Sequence, residues 1–390
     1  MKISMRNSQP CWSSCVISSR PVKLGEIDKI MNTLYTLSLL ILITSTLLVG
    51  GCNNSKSSND TPQPEPTDEV AAKEAEIRAV LNDVATDTDF SLVIVGNNGR
   101  QFSHSVGNSS ISTKYRSAST SKWVTASVVL HLVDTGVLNL NDNPQDYIAF
   151  WPTTGNLSQI QLRHLLSFTS GLNNEPLCVN GPLQNFSNCV GNIVNLNTGA
   201  PAPGNEFHYG SAHMQVAGLM AVNASALNSW EQVFDNFKTD TGLFSNSAYD
   251  LPSAQNPRLA GGMHWIATDY VAFLQTLYDQ SLLSPELIEM MTSDQFNGAV
   301  ISSTPARAVG EDWHYGFGSW IECHSPTFNC GATTKVSSPG AYGAYPFIDY
   351  EHRYYGILAR EGNLGTFAQG YAVFTAVESL LQEWATLVAD

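Results

Sequence analysis

Charge is scarce in this chain. Charged residues fill 14% of its 390 positions, and 19 Lys and Arg face 34 Asp and Glu. A surface this short of basic groups repels phosphate backbones and anionic lipid headgroups, which argues against nucleic-acid binding. No CxxC and no HExxH occurs, so neither a metal site nor a cofactor is expected. No internal repeat appears, and no apolar run reaches the ~20 residues of a membrane-spanning helix. The longest, Leu34 to Val49, has 16. What is plentiful is apolar residues, at 43%, enough for a large core in one domain or two closely packed subdomains. Gly, Ser, Asn and Thr are also frequent, as suits a loop-rich enzyme.

The apolar run ends in Val49-Gly50-Gly51-Cys52. An apolar stretch closed by small residues reads as an export signal. A cysteine directly after them predicts a bacterial lipoprotein signal, with Cys52 lipidated; the other reading is a membrane anchor or a buried helix. The chain is then expected in the cell envelope, held to a membrane by lipid. Asn53 in place of Asp favours the periplasmic face of an outer membrane if the host is Gram-negative. Residues 1–30 make a long n-region and fit an upstream mis-start before Met31, although a start there leaves no basic residue ahead of the apolar run. The divisions are thus 1–51 leader, 52–68 polar tether and 69–390 folded domain. The domain carries 14 basic against 32 acidic side chains with the tether included. Its four cysteines form two sequence-near pairs, which in an exported chain favours bridges Cys178–Cys189 and Cys323–Cys330 over free thiols.

Helical spacing covers Glu69 to Ala85. Phe90–Val95 and Gln101–Val106, around Gly96-Asn97-Asn98-Gly99, predict a β-hairpin. Ser119 to about Asp134 predicts a helix with Val124, Val128 and Leu132 on its apolar face. Residues 135–255 read as a mainly helical insert. A helix from Thr268 to about Leu277 follows, then strand-like runs Tyr315–Trp320, Gly343–Asp349 and Tyr354–Ala359, and a closing helix Gln369–Val388. The fold class is α+β, an antiparallel sheet flanked by helices with a mainly helical subdomain.

Ser119-Thr120-Ser121-Lys122 is an S-x-x-K at a helix start. Residues i and i+3 share a helix face, so the amine can lie beside the hydroxyl. A serine needs an adjacent base to act as a nucleophile, and a lysine serves if burial or nearby positive charge lowers its pKa. The bare spacing also arises by chance, as a polar helix start with a solvated Lys. Its surroundings decide. Ser117–Ala126 resembles the nucleophile region of penicillin-recognising serine hydrolases: class C β-lactamases, D-Ala-D-Ala carboxypeptidases and family VIII carboxylesterases. Leu162-Arg-His-Leu-Leu-Ser-Phe-Thr-Ser-Gly-Leu172 resembles their IRHLLTHTSGL stretch. Pro203-Gly-Asn-Glu-Phe-His-Tyr209 is similar to the lead-in to their catalytic tyrosine. Ala260-Gly-Gly-Met263, Tyr315-Gly-Phe-Gly318 and Pro339-Gly-Ala-Tyr-Gly343 match later motifs in order. The resemblance covers roughly residues 75–390 and implies the β-lactamase/transpeptidase-like fold.

It also implies roles. Ser119 would be acylated, Lys122 would take its proton, and Tyr209 would relay protons. The backbone N–H groups of Ser119 and Ala341 would form an oxyanion hole, with Ser211, Ser338 and Gly340 against substrate. Two departures stand out. The family's Tyr-x-Asn is Tyr209-Gly210-Ser211 here, and its Lys/His-Thr-Gly is Ser338-Pro339-Gly340. The cation that binds a substrate carboxylate is therefore absent from its usual place, unless Lys335, His208 or His314 supplies one. This favours an esterase or amidase on small uncharged acyl substrates over a β-lactamase or carboxypeptidase acting on peptide-like substrates. A third reading is a weakly catalytic or non-catalytic binding or sensor lipoprotein. Trp123, Phe168, Tyr342 and Tyr345 near the motifs either line an apolar pocket or belong to the core.

Overall fold

The computed structural model describes residues 66–323, 328–329 and 334–389. The expected leader, the expected lipidation site Cys52, most of the expected tether and Cys330 lie outside the described residues, and so does the expected Cys323–Cys330 bridge. The first described helix is Pro66–Asp83, which begins inside the stretch expected to be tether. Proline is suited to a first helical position, where its missing N–H is not needed.

Seven strands form one antiparallel sheet. Their spatial order is Gln101–Val106, Phe90–Gly96, Tyr354–Arg360, Tyr345–Asp349, Lys335–Ser337, Trp320–Glu322 and His314–Tyr315. Phe90–Gly96 sits between two partners, with Val93 opposite Ile357 on one side and Ser103 on the other. Every residue of Phe90–Gly96 and of Tyr354–Arg360 is buried. Strands covered on both faces read as near-continuous apolar runs, and FSLVIVG and YYGILAR do. Helices Pro66–Asp83, Ala267–Tyr278, Phe367–Thr375 and Glu378–Leu387 pack on the sheet or on each other. Among the described residues no helix is long and apolar enough to cross a membrane.

In the helical part Ser121–Asp134 packs on Ala212–Ala224 and Trp230–Thr241, and Phe186–Leu196 packs on Ala212–Ala224. Cys178 and Cys189 are bridged, at S–S 2.09 Å. The bridge ties the turn Leu177–Asn180 to helix Phe186–Leu196.

Three expected elements differ. The run Tyr315–Trp320 is a tight hairpin, not one strand, because Gly318 takes φ +80° and turns the chain against the helix bearing Lys122. A Cβ on Gly318 would lie 2.8 Å from the Lys122 carbonyl oxygen. The closing helix is two helices, broken at Ala376-Val377, where Val377 leaves helical geometry at φ −118°. The helix expected from Ser119 starts at Ser121 after a 3₁₀ turn, Ala118–Thr120. It is also buried on all sides through Leu130 rather than on one face. Its polar side chains are accordingly satisfied: Ser121 donates to Ser117 Oγ at 2.9 Å, Thr125 to the Leu259 carbonyl at 2.7 Å and Ser127 to the Trp123 carbonyl at 2.9 Å.

Candidate active site

The 3₁₀ turn before the buried helix presents Ser119. Ala118, immediately before it, holds φ +46°, a left-handed conformation that strains any residue with a Cβ. Ser119 is half-buried, whereas Lys122, three residues on, is 2% exposed. Lys122 Nζ donates to Ser119 Oγ at 3.0 Å and to the Ala260 carbonyl at 2.9 Å. Burial pushes its pKa down to about 7, and the charge of Arg258 helps, against a smaller opposing effect of Glu175. The amine is therefore about half unprotonated at pH 7 and largely so in mildly alkaline solution.

Tyr209 arrives from a different element. The short strand Glu206–His208 pairs with Val300–Ser303, and the Tyr209 N–H donates to the Ser303 carbonyl at 3.0 Å. Its ring lies 4.6 Å below Lys122 Nζ and stacks on Trp320 at 5.0 Å. Phe168 abuts it edge-on at 5.5 Å. Phe168 itself sits at φ +59°, an outlier for a bulky side chain, held by stacking on His213 and Tyr315. Burial pushes the Tyr209 phenol up to about 12, with hydrogen bonding to Ser119 and Trp320 pulling the other way.

The turn between strands Lys335–Ser337 and Tyr345–Asp349 closes the site. Gly340 is needed here because a Cβ would fall 2.7 Å from the Ser117 carbonyl. Ala341 lies beside it, and both line one cavity with Ser119, Tyr209 and Pro339. Its remaining wall is Pro305, Ala306, Trp313, Trp320 and Phe367. The cavity measures about 130 Å³ and presents mostly apolar surface. It is similar in size to a ~150 Å³ apolar cavity that admits benzene.

Several expected contacts fall elsewhere. Ser338 is 2% exposed, and its hydroxyl donates to the carbonyls of Ser119 at 3.3 Å and Gly318 at 3.4 Å. It ties the sheet to the nucleophile turn and is not part of the cavity wall. Ser211, 3% exposed, accepts from Arg258 Nη2 at 3.4 Å. None of the three substitute cations faces the cavity. Lys335 is paired with Glu322 at 3.5 Å and Glu378 at 2.5 Å. His314 pairs with Asp294 at 2.7 Å, and His208 meets Ser302 at 3.3 Å. Trp123, Phe168 and Tyr345 are core residues, and Tyr342 lies under Arg116. The aromatic walls are instead Trp313, Trp320 and Phe367. The sequence carried no signal for them or for Arg258 beyond their residue types.

The arrangement holds a hydroxyl between a depressed amine and an elevated phenol at the mouth of an apolar cavity. That is the equipment for acyl transfer. The family model Beta-lactamase matches residues 88–369. No curated protein matches. Among solved structures, a β-lactamase-type protein from Bacteroides dorei DSM 17855 is 26% identical, with TM-score 0.65, covering 81% of this chain and 98% of its own. EstCE1, a hydrolase with promiscuous acyltransferase activity, is 17% identical, with TM-score 0.64 and coverage of 82% and 99%. The D-amino acid amidase of Ochrobactrum anthropi SV3 is 16% identical, with TM-score 0.60 and coverage of 79% and 99%. Sharing their fold, and matched by the family model over most of its length, the chain belongs to the Beta-lactamase family and is a hydrolase of that family.

Proposed function

We propose that this chain is an exported, lipid-anchored serine hydrolase that works through an acyl-enzyme as an esterase or amidase. The observation that carries the reading is the opposite displacement of two groups around one hydroxyl: Lys122 is brought down to about 7 and Tyr209 up to about 12. A free amine and a neutral phenol are a base and an acid at the same pH. Ser119 Oγ attacks the substrate carbonyl as its proton passes to Lys122. The resulting oxyanion rests on the backbone N–H groups of Ser119 and Ala341. Tyr209 gives its proton to the departing alcohol or amine and is reprotonated at the expense of Lys122. Neutral Lys122 then takes a proton from water as its oxygen attacks the acyl carbonyl, and returns that proton to Ser119 Oγ as the acid departs.

The part of the substrate in the cavity is small and uncharged, because no cation lines that wall. This disfavours a β-lactamase or D-Ala-D-Ala carboxypeptidase, whose substrates carry a carboxylate to the position Ser338 occupies. A mere binder would have no use for a desolvated lysine beside a serine. Export and lipidation at Cys52 rest on the signal pattern alone; labelling with a radioactive fatty acid, lost on Cys52→Ala, would test them.

Turnover of p-nitrophenyl butyrate by the purified protein, with Ser119→Ala as control, tests the chemistry. Serine-dependent turnover, with nitrocefin hydrolysed far more slowly, is the expected result. Nitrocefin preferred over the ester would move the assignment to a β-lactamase. Stoichiometric acylation without turnover would move it to a sensor.

A further inference from the structure

Arg258 stands two residues before Ala260, whose carbonyl holds the Lys122 amine. Its guanidinium lies over Gly261, with Nε and Cζ 3.4 and 3.5 Å from where a Cβ on that glycine would project. Nη2 donates to Ser211 Oγ at 3.4 Å, a long bond. Nε is sealed from solvent and has no partner. Among the described residues no carboxylate comes within 4.0 Å of the guanidinium. Glu175, whose carboxylate accepts from the backbone N–H groups of Ser211 and Ala212, is engaged there instead.

An arginine is always charged. Holding that charge half-buried, against a serine hydroxyl and near a second amine, is unfavourable unless an anion joins it. The cavity beside Ser119 is apolar and needs no such charge. The guanidinium therefore serves a different part of the substrate.

We propose that Arg258, with Ser211, is an anion subsite, and that the physiological substrate carries a carboxylate on the portion outside the apolar cavity. A guanidinium receives a carboxylate through two parallel N–H bonds, and the serine hydroxyl adds a third donor. The cation missing at position 338 is thus not replaced where it was; the charge preference has moved to Arg258. The proposal rests on the acyl-transfer reading for its kinetic test but not for its binding test.

The kinetic test compares mono-p-nitrophenyl glutarate with p-nitrophenyl pentanoate, which differ by a carboxylate in place of a methyl group. Wild type should prefer the glutarate at least tenfold in kcat/KM. Arg258→Gln should cut that ratio at least tenfold and Arg258→Lys by less; taking the ratio cancels any effect on Lys122 common to both esters. An unchanged ratio in Arg258→Gln overturns the proposal. The binding test titrates the glutarate ester into Ser119→Ala and into Ser119→Ala/Arg258→Gln by calorimetry. A Kd at least tenfold weaker in the double variant supports the subsite even if wild type turns over neither ester, an outcome that would defeat the acyl-transfer reading alone. Equal Kd values overturn the subsite.

Discussion

Two lysines in this protein are almost equally buried and have opposite fates. Lys122 is 2% exposed and Lys335 4%. Lys122 meets a hydroxyl and a carbonyl, no carboxylate, and another cation nearby, so its pKa falls to about 7. Burial alone would lower Lys335 too, but Glu322 and Glu378 more than offset it, and the net direction is up. Tyr345 OH and Ser337 Oγ donate to the same Glu322 carboxylate, so that buried cluster is hydrogen-bonded as well as paired. The lesson is that burial does not make a lysine a base; burial without a counter-charge does. The sheet uses its lysine to neutralise buried acids. The nucleophile turn holds its own in a state that costs stability and gains reactivity.

Breaking the two sites should therefore break different things. Lys122→Met should lower kcat/KM for p-nitrophenyl butyrate by at least about 10³-fold, as loss of a nucleophile's base does. It should also raise the melting temperature at pH 7 by a few degrees. The sign follows from linkage. The folded-state pKa lies near 7 and the unfolded one near 10.5, so between those values the unfolded chain binds the extra proton and stability rises with pH. The melting-temperature advantage of Lys122→Met should hence shrink from pH 7 to pH 10. An advantage that grows over that range would contradict the depressed amine.

Lys335→Met comes next in size. It leaves the buried Glu322 and the half-buried Glu378 without their cation, and breaking a buried pair costs about 3–5 kcal/mol. Urea midpoints should fall accordingly, while the folded fraction keeps its kcat within a few-fold. A large kcat loss at full folding would mean that the two regions are not independent.

Smaller still is a shift in pH profile. The acid limb of kcat/KM should rise through about pH 7 as Lys122 loses its proton. Arg258→Gln removes a like charge near that amine, so the limb should move to higher pH, measured with a neutral ester to avoid the proposed subsite. A limb that stays put would remove Arg258 from the list of groups that tune Lys122.

The contrast between the lysines also marks what could be read without coordinates. Ser119 and Lys122 were legible because i, i+3 adjacency on a helix is local geometry, and the structure places them 3.0 Å apart. Phe90–Gly96 and its hairpin partner were legible for the same reason: alternation, turn and run length are local. Tyr209 needed the resemblance, since its approach to Ser119 is made by a strand pairing nearly a hundred residues away in sequence. Arg258 was not legible at all. What singles it out is that no carboxylate among the described residues pairs with it, which only the tertiary arrangement decides. The pocket aromatics failed likewise: Trp123 and Trp320 both sit next to motifs, yet one is fully buried beside Met291 and the other lines the cavity.

Trp320 offers the finest test of how the site differs from the core. It stacks on Tyr209, and its indole N–H draws the phenol's pKa down against the effect of burial, so it orients the acid without reacting itself. Trp320→Phe keeps much of the stacking surface and removes the indole N–H. If Tyr209 protonates the leaving group, the loss must depend on how much protonation that group needs. p-Nitrophenolate departs readily without a proton, and kcat for its esters should fall only two- to three-fold. Alkyl esters depart as poorly stabilised alkoxides, and their kcat should fall about tenfold, the low end of general-acid contributions of ~10²–10⁴ because the phenol itself remains. Tyr209→Phe should widen the same gap by a further factor of at least ten. Equal losses for both ester types would reduce Tyr209 and Trp320 to pocket walls, and the comparison between reactive and structural regions would then rest on Lys122 alone.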